Sequence, residues 1–503
     1  MLWLLIVIPA VAGALAFFVA WNRLRRALLL AAAAGHASLV VATLAGGVPM
    51  SANNWIGLDA GSSLFLAITS AVFLVVSLYT VGYLEREHHR TAVPPEEALP
   101  FVSFPEATFT GCYLLFLAAM TLVILSRHWG LMWVAVEATT LASAPLIYFH
   151  RYARSLEATW KYLMICSVGI ALALLGNFFL AVAAKTSSIA HLHLFLGDLE
   201  QHAAELDPRW LKAAFLLLLV GYGTKMGLAP LHTWLPDAHS EAPSMVSALL
   251  SGVLLNCAFL PILRGHALLV KAGLGPFSRD LLVLFGAVSI VVAALFIIRQ
   301  MDFKRLLAYS SVEHMGILVL GVGIGGIAGF GSMLHAVNHS VAKAMLFLVA
   351  GNTLAHFRTK STLETRGVRR VLPVTGVLWV VGLLAITGSP PFGTFLSELA
   401  ILKGMLDANR VLIAGLYLAV LSIIFVGMSA LVLPIVYGSG GRIAPDEDRA
   451  DAAHSECARS REAWWSIVPP LLLAAAAVVL GLYLPHQFTD WLHRAAIVLG
   501  AES

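Results

Sequence analysis

Charged residues are scarce in this sequence: 12% of its 503 positions are Asp, Glu, Lys or Arg, against about a quarter in a soluble globular domain. A large soluble all-α protein needs polar outer helix faces, and these are missing. Cysteine is nearly absent. Cys112, Cys166, Cys257 and Cys457 stand singly, with no Cys-x-x-Cys pair and no iron–sulfur spacing. Neither a Gly-rich dinucleotide fingerprint nor a Walker motif occurs. The expectation is a chain with no cofactor, no metal and no ATP engine of its own. A net charge of +4 gives no sign of a nucleic-acid partner.

What fills the chain is apolar. Hydrophobic residues make up 59%, and the mean hydropathy is +0.85. Runs of roughly 18 or more apolar residues recur, each long enough to cross a hydrocarbon core about 30 Å thick. About fourteen spans are predicted, at 1–21, 27–46, 62–84, 107–126, 129–149, 158–184, 209–228, 245–264, 280–298, 303–323, 326–354, 371–402, 411–436 and 463–484. The first run lacks a basic leader and is followed by Arg23, Arg25 and Arg26, so it reads as an uncleaved span rather than a signal peptide. The longer loops are 85–106, 185–208 and 437–462, the last linker-like. With both termini outside, nineteen Lys and Arg residues fall in inside loops and ten in outside loops, as the positive-inside rule requires. Of the 32 cations, only Lys161, Lys225 and Lys343 are left within or at the edge of a span.

Two spans are broken, one by Gly227, Pro230 and Pro236, the other by Gly388, Pro390, Pro391 and Gly393. Proline removes a backbone donor and clashes with the preceding turn. The two segments align without gaps: Gly227, Pro230, Thr233, Leu235 and Asp237 match Gly388, Pro391, Thr394, Leu396 and Glu398 at a constant offset of 161. They belong to spans 7 and 12 and so run in opposite directions, the signature of an inverted repeat with paired discontinuous helices. The expected fold class is an all-α polytopic membrane protein forming one transmembrane domain over 1–503. Residues 1–106 are its N-terminal helices, 107–264 and 280–436 are two five-helix repeats, and 463–503 are a C-terminal helix and tail.

A charge at the bilayer centre costs about 2.5–3.5 kcal/mol even on a lenient scale, yet Glu137, Lys225, Lys343 and Glu398 each interrupt an apolar run. Glu137 in span 5 and Lys225 in span 7 suggest an ion pair, either static or switchable. Moving the carboxylate away from a desolvated lysine makes the lysine release its proton, which is a proton gate. His335, His339 and Lys343 stand at i, i+4 and i+8 of span 11, on one face and over about 12 Å, as a relay would. The two histidines alone leave a zinc site without an evident third ligand. In span 10, Glu313 and His314 follow Tyr309, Ser310 and Ser311 and either continue a polar wire or cap an inner helix end. His232, Asp237, His239 and Glu241 after span 7 either funnel protons inward or cap the half-helices. Lys161 is a path residue or a snorkelling one. His191 and His193 read as solvated loop residues.

Four stretches carry a resemblance: Lys225-Met-Gly-Leu-Ala-Pro-Leu-His-Thr-Trp-Leu-Pro-Asp-Ala-His239, Asp302 to Ser311, His335-Ala-Val-Asn-His-Ser-Val-Ala-Lys343 with the Ala-Met-Leu-Phe-Leu that follows, and Gly388-Ser-Pro-Pro-Phe-Gly-Thr-Phe-Leu-Ser-Glu398. Over roughly 60–435 the chain resembles the antiporter-like proton-translocating subunits of respiratory complex I, cation/proton antiporters and membrane-bound hydrogenases. The stretches at Trp133 to Ala142, Trp160-Lys-Tyr-Leu, Ser240-Glu-Ala-Pro-Ser and Ser247-Ala-Leu-Leu-Ser-Gly look most like hydrogenase-4 component F. The resemblance implies that Glu137 and Lys225 are the coupling pair, Lys343 the central lysine and Glu398 the distal gate residue. It implies a bacterial inner-membrane subunit moving protons or sodium ions, itself without redox chemistry. Its partners would be other integral membrane subunits and, through them, a hydrogenase-like or complex I-like peripheral redox arm. A Mrp-type cation/proton antiporter and a proton-gradient-driven inorganic-carbon uptake complex are the alternatives. Span 8 departs from the pattern: Ser251 and Asn256 occupy the region where the family carries His or Lys, so no titratable relay residue is expected there. The short chain after span 14 disfavours the largest complex I subunit, with its long lateral helix.

Overall fold

In lipid every backbone amide must find its partner within the chain, and an apolar sequence does this by forming helices. The computed structural model describes residues 1–47, 50–51, 53–88, 105–186, 193–439 and 462–501. Most of loops 85–106 and 437–462, with Cys457 and His191, lies outside them. The helices are α1 (Leu2–Phe18), α2 (Asn22–Ala45), α3 (Ala60–His88), α4 (Glu106–Leu125), α5 (Trp129–Ile147), α6 (Ala153–Lys185), α7 (Leu196–Gln201), α8 (Pro208–Met226), α9 (Trp234–Glu241) and α10 (Ser244–Leu249). They continue with α11 (Leu255–Lys271), α12 (Gly275–Ile297), α13 (Phe303–Ile324), α14 (Ile327–Phe357), α15 (Val368–Val371), α16 (Pro373–Ile386), α17 (Gly393–Asp407), α18 (Val411–Tyr437), α19 (Trp464–Leu482) and α20 (His486–Val498).

Among the described residues, eleven helices are long and apolar enough to cross a membrane alone, with Ser244–Lys271 counted as one. Adding α1 and the interrupted pairs α8–α9 and α16–α17 gives the fourteen expected spans. Polar side chains at the connections set where helices begin. Asp302 accepts from the backbone N–H groups of Lys304 and Arg305 at 2.7 and 3.1 Å, and His128 from Gly130 and Leu131 at 3.1 and 3.4 Å. Each cap satisfies donors that a helix start leaves orphaned. The connections gather at two faces. On one, Asp302 bridges to Ser361 and Glu241 pairs with Lys360 at 2.8 Å. On the other, Ile56 bridges to Ser126 and His128 to Phe195, and Asp59 pairs with Arg264 at 2.5 Å.

The two breaks are built alike. Gly227 (φ +85°) ends α8 and Gly388 (φ +62°) follows α16, both in the left-handed region that glycine adopts without Cβ strain. The Ala229–Pro230 and Pro390–Pro391 peptide bonds are both cis. Side chains occupy the backbone groups that each break frees. The Trp234 indole donates to the Thr224 carbonyl at 2.8 Å, the Ala229 N–H donates to Ser289 at 3.0 Å, and the Thr394 hydroxyl donates to the Ala385 carbonyl. This is how discontinuous helices persist away from water. A third irregularity went unforeseen: the span expected at 245–264 contains a π-helical turn at Leu250–Leu254, a feature frequent at functional sites.

Helices α10, α11, α13 and α14 form the interior, while α2, α18 and α19 turn apolar side chains such as Val41, Leu412 and Val426 outward. Two expectations need correction. The tail after span 14 contains an amphipathic helix, α20, which packs on α3 and α14. Trp491 donates to Ser63 at 2.7 Å, Gly500 O lies 3.1 Å from His266, and a Cβ on Gly329 would come within 1.9 Å of the Ala501 carbonyl. Loop 185–208 likewise holds α7, whose Leu196 and Leu199 are buried.

Candidate functional site

The first polar cluster surrounds Lys225, wholly buried near the end of α8. Its ammonium donates to Thr140 Oγ1 at 2.9 Å and to Tyr162 Oη at 2.5 Å, and lies 4.4 Å from the Tyr162 ring centre. The expected ion pair with Glu137 is not direct. Thr140, one turn along α5 from Glu137, stands between them and donates to Glu137 Oε2 at 3.2 Å. Ser167 donates to Oε1 at 3.3 Å. The half-buried Glu137 therefore touches Lys225 through one hydroxyl. A hydroxyl both donates and accepts, so this bridge can relay a change of charge without letting the two groups collapse into a static pair. Tyr162 was legible only as part of the Trp160-Lys-Tyr-Leu resemblance.

The second cluster lies among α13, α14 and α17. His335, His339 and Lys343 do share one buried face of α14, but the hydrogen bonds run across helices rather than along it. His314 Nδ1 is 2.8 Å from His335 Nε2, and His335 Nδ1 is 2.9 Å from Ser397 Oγ. Ser397 donates in turn to the Thr394 carbonyl at 2.9 Å. With that hydroxyl proton so placed, His335 Nδ1–H donates to Ser397 and His314 Nδ1–H donates to His335. If Ser397 turns its proton toward His335, both imidazoles exchange tautomers. The chain thus has two hydrogen-bonded arrangements that differ in which nitrogen of each imidazole carries the proton. Lys343 donates to the Leu307 carbonyl at 2.8 Å. Glu313 accepts from Ser310 at 3.3 Å.

Other histidines show what is unusual here. His36 is held by Ser70 and Thr121 at 2.9 and 3.1 Å, and His266 by Ser278 at 2.8 Å and by the Gly500 carbonyl. These are satisfied core histidines. By contrast, neither ring nitrogen of His239 or His339 has a partner, nor does Glu398 Oε1 or His314 Nε2. Buried polar atoms are otherwise almost always paired, by protein or water. The orphaned atoms line the interior around α14, where water can enter a relay. Between Lys225 and Lys343 the π turn of span 8 packs on α14, and α11 packs on α8. Ser251 meets Ser311 at 2.7 Å, and Asn256 donates to Ser340 at 2.7 Å. Polar but non-titratable groups of span 8 thus meet α13 and α14.

The residues after span 7 divide. Asp237 accepts from Lys161 at 2.9 Å and from Arg305, and Glu241 pairs with Lys360. His239 points inward from the same short helix and stacks on Phe347 with ring centres 5.1 Å apart. His232 faces the rings of Phe296 and Tyr309 at 6.4 and 6.1 Å. Lys161 is half-exposed and also pairs with Glu157 at 2.6 Å, so it sits at the rim. His193, in the opposite connection, lies against Phe195. Glu398, on α17, is 8% exposed. A cavity of about 390 Å³ reaches it, lined among others by Thr387, Gly388, Ser389, Pro390 and Tyr417.

Comparison with known proteins gives one consistent picture. The family profile described as NADH:quinone oxidoreductase/Mrp antiporter, transmembrane, matches residues 126–425. A hydrogenase-4 component F homologue of Methylacidiphilum infernorum is 35% identical over 443 residues, 87% of each chain. A chain of the membrane-bound sulfane sulfur reductase, an archaeal respiratory membrane complex, superposes with a TM-score of 0.82 at 22% identity, over 99% of this chain and 97% of that one. A chain of the Mrp complex from a Dietzia species gives 0.82 at 20% identity, over 100% and 99%. At those identities the two structures speak to fold.

Proposed function

Because the chain belongs to the NADH:quinone oxidoreductase/Mrp antiporter transmembrane family, we propose that it is the proton-translocating membrane subunit of a hydrogenase-4-like, redox-driven pump in a bacterial inner membrane. Its partners are other integral membrane subunits and, through them, a peripheral redox arm. Residues 107–264 and 280–436 are the two half-paths. Glu137, Thr140 and Lys225 form the gate of the first. Lys343, Glu313, His339, His314, His335 and Glu398 form the second, and His232, His239, Asp237, Glu241 and Lys161 lie at its inner approach.

The observation that carries this reading is the hydrogen-bonded run from His314 through His335 to Ser397, one residue from Glu398, inside helices that are otherwise apolar. Packing alone asks for leucine at such positions, because charges there are expensive. Partner redox turnover and membrane potential, measured together in sealed vesicles of the assembled complex, test it. Glu398→Gln and Lys343→Ala each keep electron transfer and lose potential per turnover. The double variant is no worse than the singles, because the two residues share one wire. Unchanged potential per turnover in both singles refutes the assignment. Replacing sodium in the medium without loss of potential identifies the proton as the coupling ion.

A further inference from the structure

From three side chains that converge in the second half-path, we infer that this protein binds one divalent cation of the zinc class at His314, His335 and Glu398. Donor atoms of these residues lie within 4.8 Å of one another. They come from three different helices, α13, α14 and α17. All are buried, the two histidines fully and Glu398 to 8% exposure. Sequence spacing pairs His335 with His339 and leaves a third ligand missing. The fold instead pairs His335 with His314 from the neighbouring helix, and α17 brings the carboxylate. Two imidazoles and one carboxylate are the donor set of many zinc sites, with a fourth position left to water.

Two details favour a cation over a merely polar pocket. Glu398 Oε1 has no partner although its residue is more than nine-tenths buried. His335 is already oriented as a metal ligand is, one ring nitrogen lying 2.9 Å from Ser397 Oγ and the other aimed into the cluster, the outer-shell arrangement that fixes a ligating tautomer. Tetrahedral ligands at zinc–nitrogen and zinc–oxygen distances near 2.1 Å stand roughly 3.4 Å apart. The cation takes the place of the proton now shared by His314 Nδ1 and His335 Nε2, and that proton moves to His314 Nε2. The charges suit a dication: neutral imidazoles and one carboxylate leave a single positive charge on the filled site. Of the three ligands, Glu398 also lines the cavity beside Gly388 and Tyr417.

Binding itself does not depend on the proposed proton path, but its consequence rests on that reading: a filled site interrupts the relay between His335 and Glu398. The test uses the full chain in detergent and Co²⁺ alone as the probe. Low-coordinate Co²⁺ with nitrogen and oxygen ligands gives intense visible ligand-field bands. The expected result is one Co²⁺ per chain, displaced by Zn²⁺, with affinity reduced at least tenfold in His314→Gln, His335→Gln and Glu398→Gln. His339→Gln, in contact with His314 but outside the donor set, keeps it within about twofold, and all four variants are checked for a cooperative thermal transition. Affinity unchanged in Glu398→Gln or His335→Gln, or only weak octahedral spectra, overturns the site. In sealed vesicles of the wild-type complex, Zn²⁺ at concentrations that fill the site lowers potential per turnover. Should Zn²⁺ bind as described while potential is untouched, the metal site stands and the proton route through it falls.

Discussion

Adding one methyl group at Gly388 tests the position of Glu398 without altering any titratable residue. A Cβ at Gly388 would lie 1.9 Å from Glu398 Oε2, whereas ordinary contact begins at 3.4 Å. In Gly388→Ala the carboxylate, the free end of a flexible side chain, must retreat by about 1.5 Å, the difference between those distances. The backbone at φ +62° adds about 1–2 kcal/mol of left-handed strain, which is a modest loss of melting temperature for a chain this size. Misplacing a reacting group by 1 Å costs on the order of a hundredfold in rate. Transport should therefore fall far more than stability. Gly227→Ala is the matched control. Its φ is +85°, and the added methyl meets only the flexible Cδ1 of Leu235, at 2.4 Å. It carries the same backbone strain with no carboxylate displaced. Potential per redox turnover in vesicles and thermal melting in detergent are the two readouts. Wild-type potential in Gly388→Ala, or an equal fall in Gly227→Ala, refutes the reasoning.

Lys225→Arg should abolish proton transport while electron transfer by the partner continues, because arginine does not release its proton; normal pumping would leave Lys225 a structural cation. Thr140→Val removes the hydroxyl between Glu137 and Lys225 at nearly constant shape, costs about 1–3 kcal/mol and should lower transport as much as Glu137→Gln does, with the double variant no worse; additive losses would show that Thr140 does not link them. Burial alone would push the Asp59 carboxyl up, but the Arg264 guanidinium and the Ser62 N–H and hydroxyl outweigh it and hold it below the usual carboxylate range. Its stabilisation is therefore complete above the unfolded value, about pH 4, and is lost as pH falls through the lower folded value. Asp59→Asn should remove that acid-side loss from a melting-temperature series, and at neutral pH should cost about 3 kcal/mol by leaving Arg264 buried and unpaired.

Much of the architecture was legible because a bilayer leaves few options. Fourteen apolar runs had to be helices, and paired Gly and Pro residues at a fixed offset had to be breaks, since nothing else disrupts a helix so strongly. The buried acids and bases stood out for the same reason, being costly where they sit. The contacts among them were not legible. Nothing in the spacing of α5 says that Thr140 rather than Glu137 meets Lys225, because helix rotation about its axis is set by packing against α4 and α6. His314 and Glu313 are neighbours in sequence, yet His314 turns to His335 and Glu313 accepts a hydrogen bond from Ser310; which side each faces is decided across helices. The π turn at Leu250–Leu254 leaves no mark in an apolar run. Helix α20 is not legible as a span because its 13 residues are amphipathic and too few to cross a bilayer.

The helix α20 bears on how the bundle closes. Residues 486–501 hold together the starts of α3 and α14 and the end of α11 through Trp491, Ala501 and Gly500. With the spanning helices inserted but α20 undocked, Ser63, His266 and Gly329 stay uncovered at that face. Docking of α20 is thus a latch that joins three helices far apart in sequence.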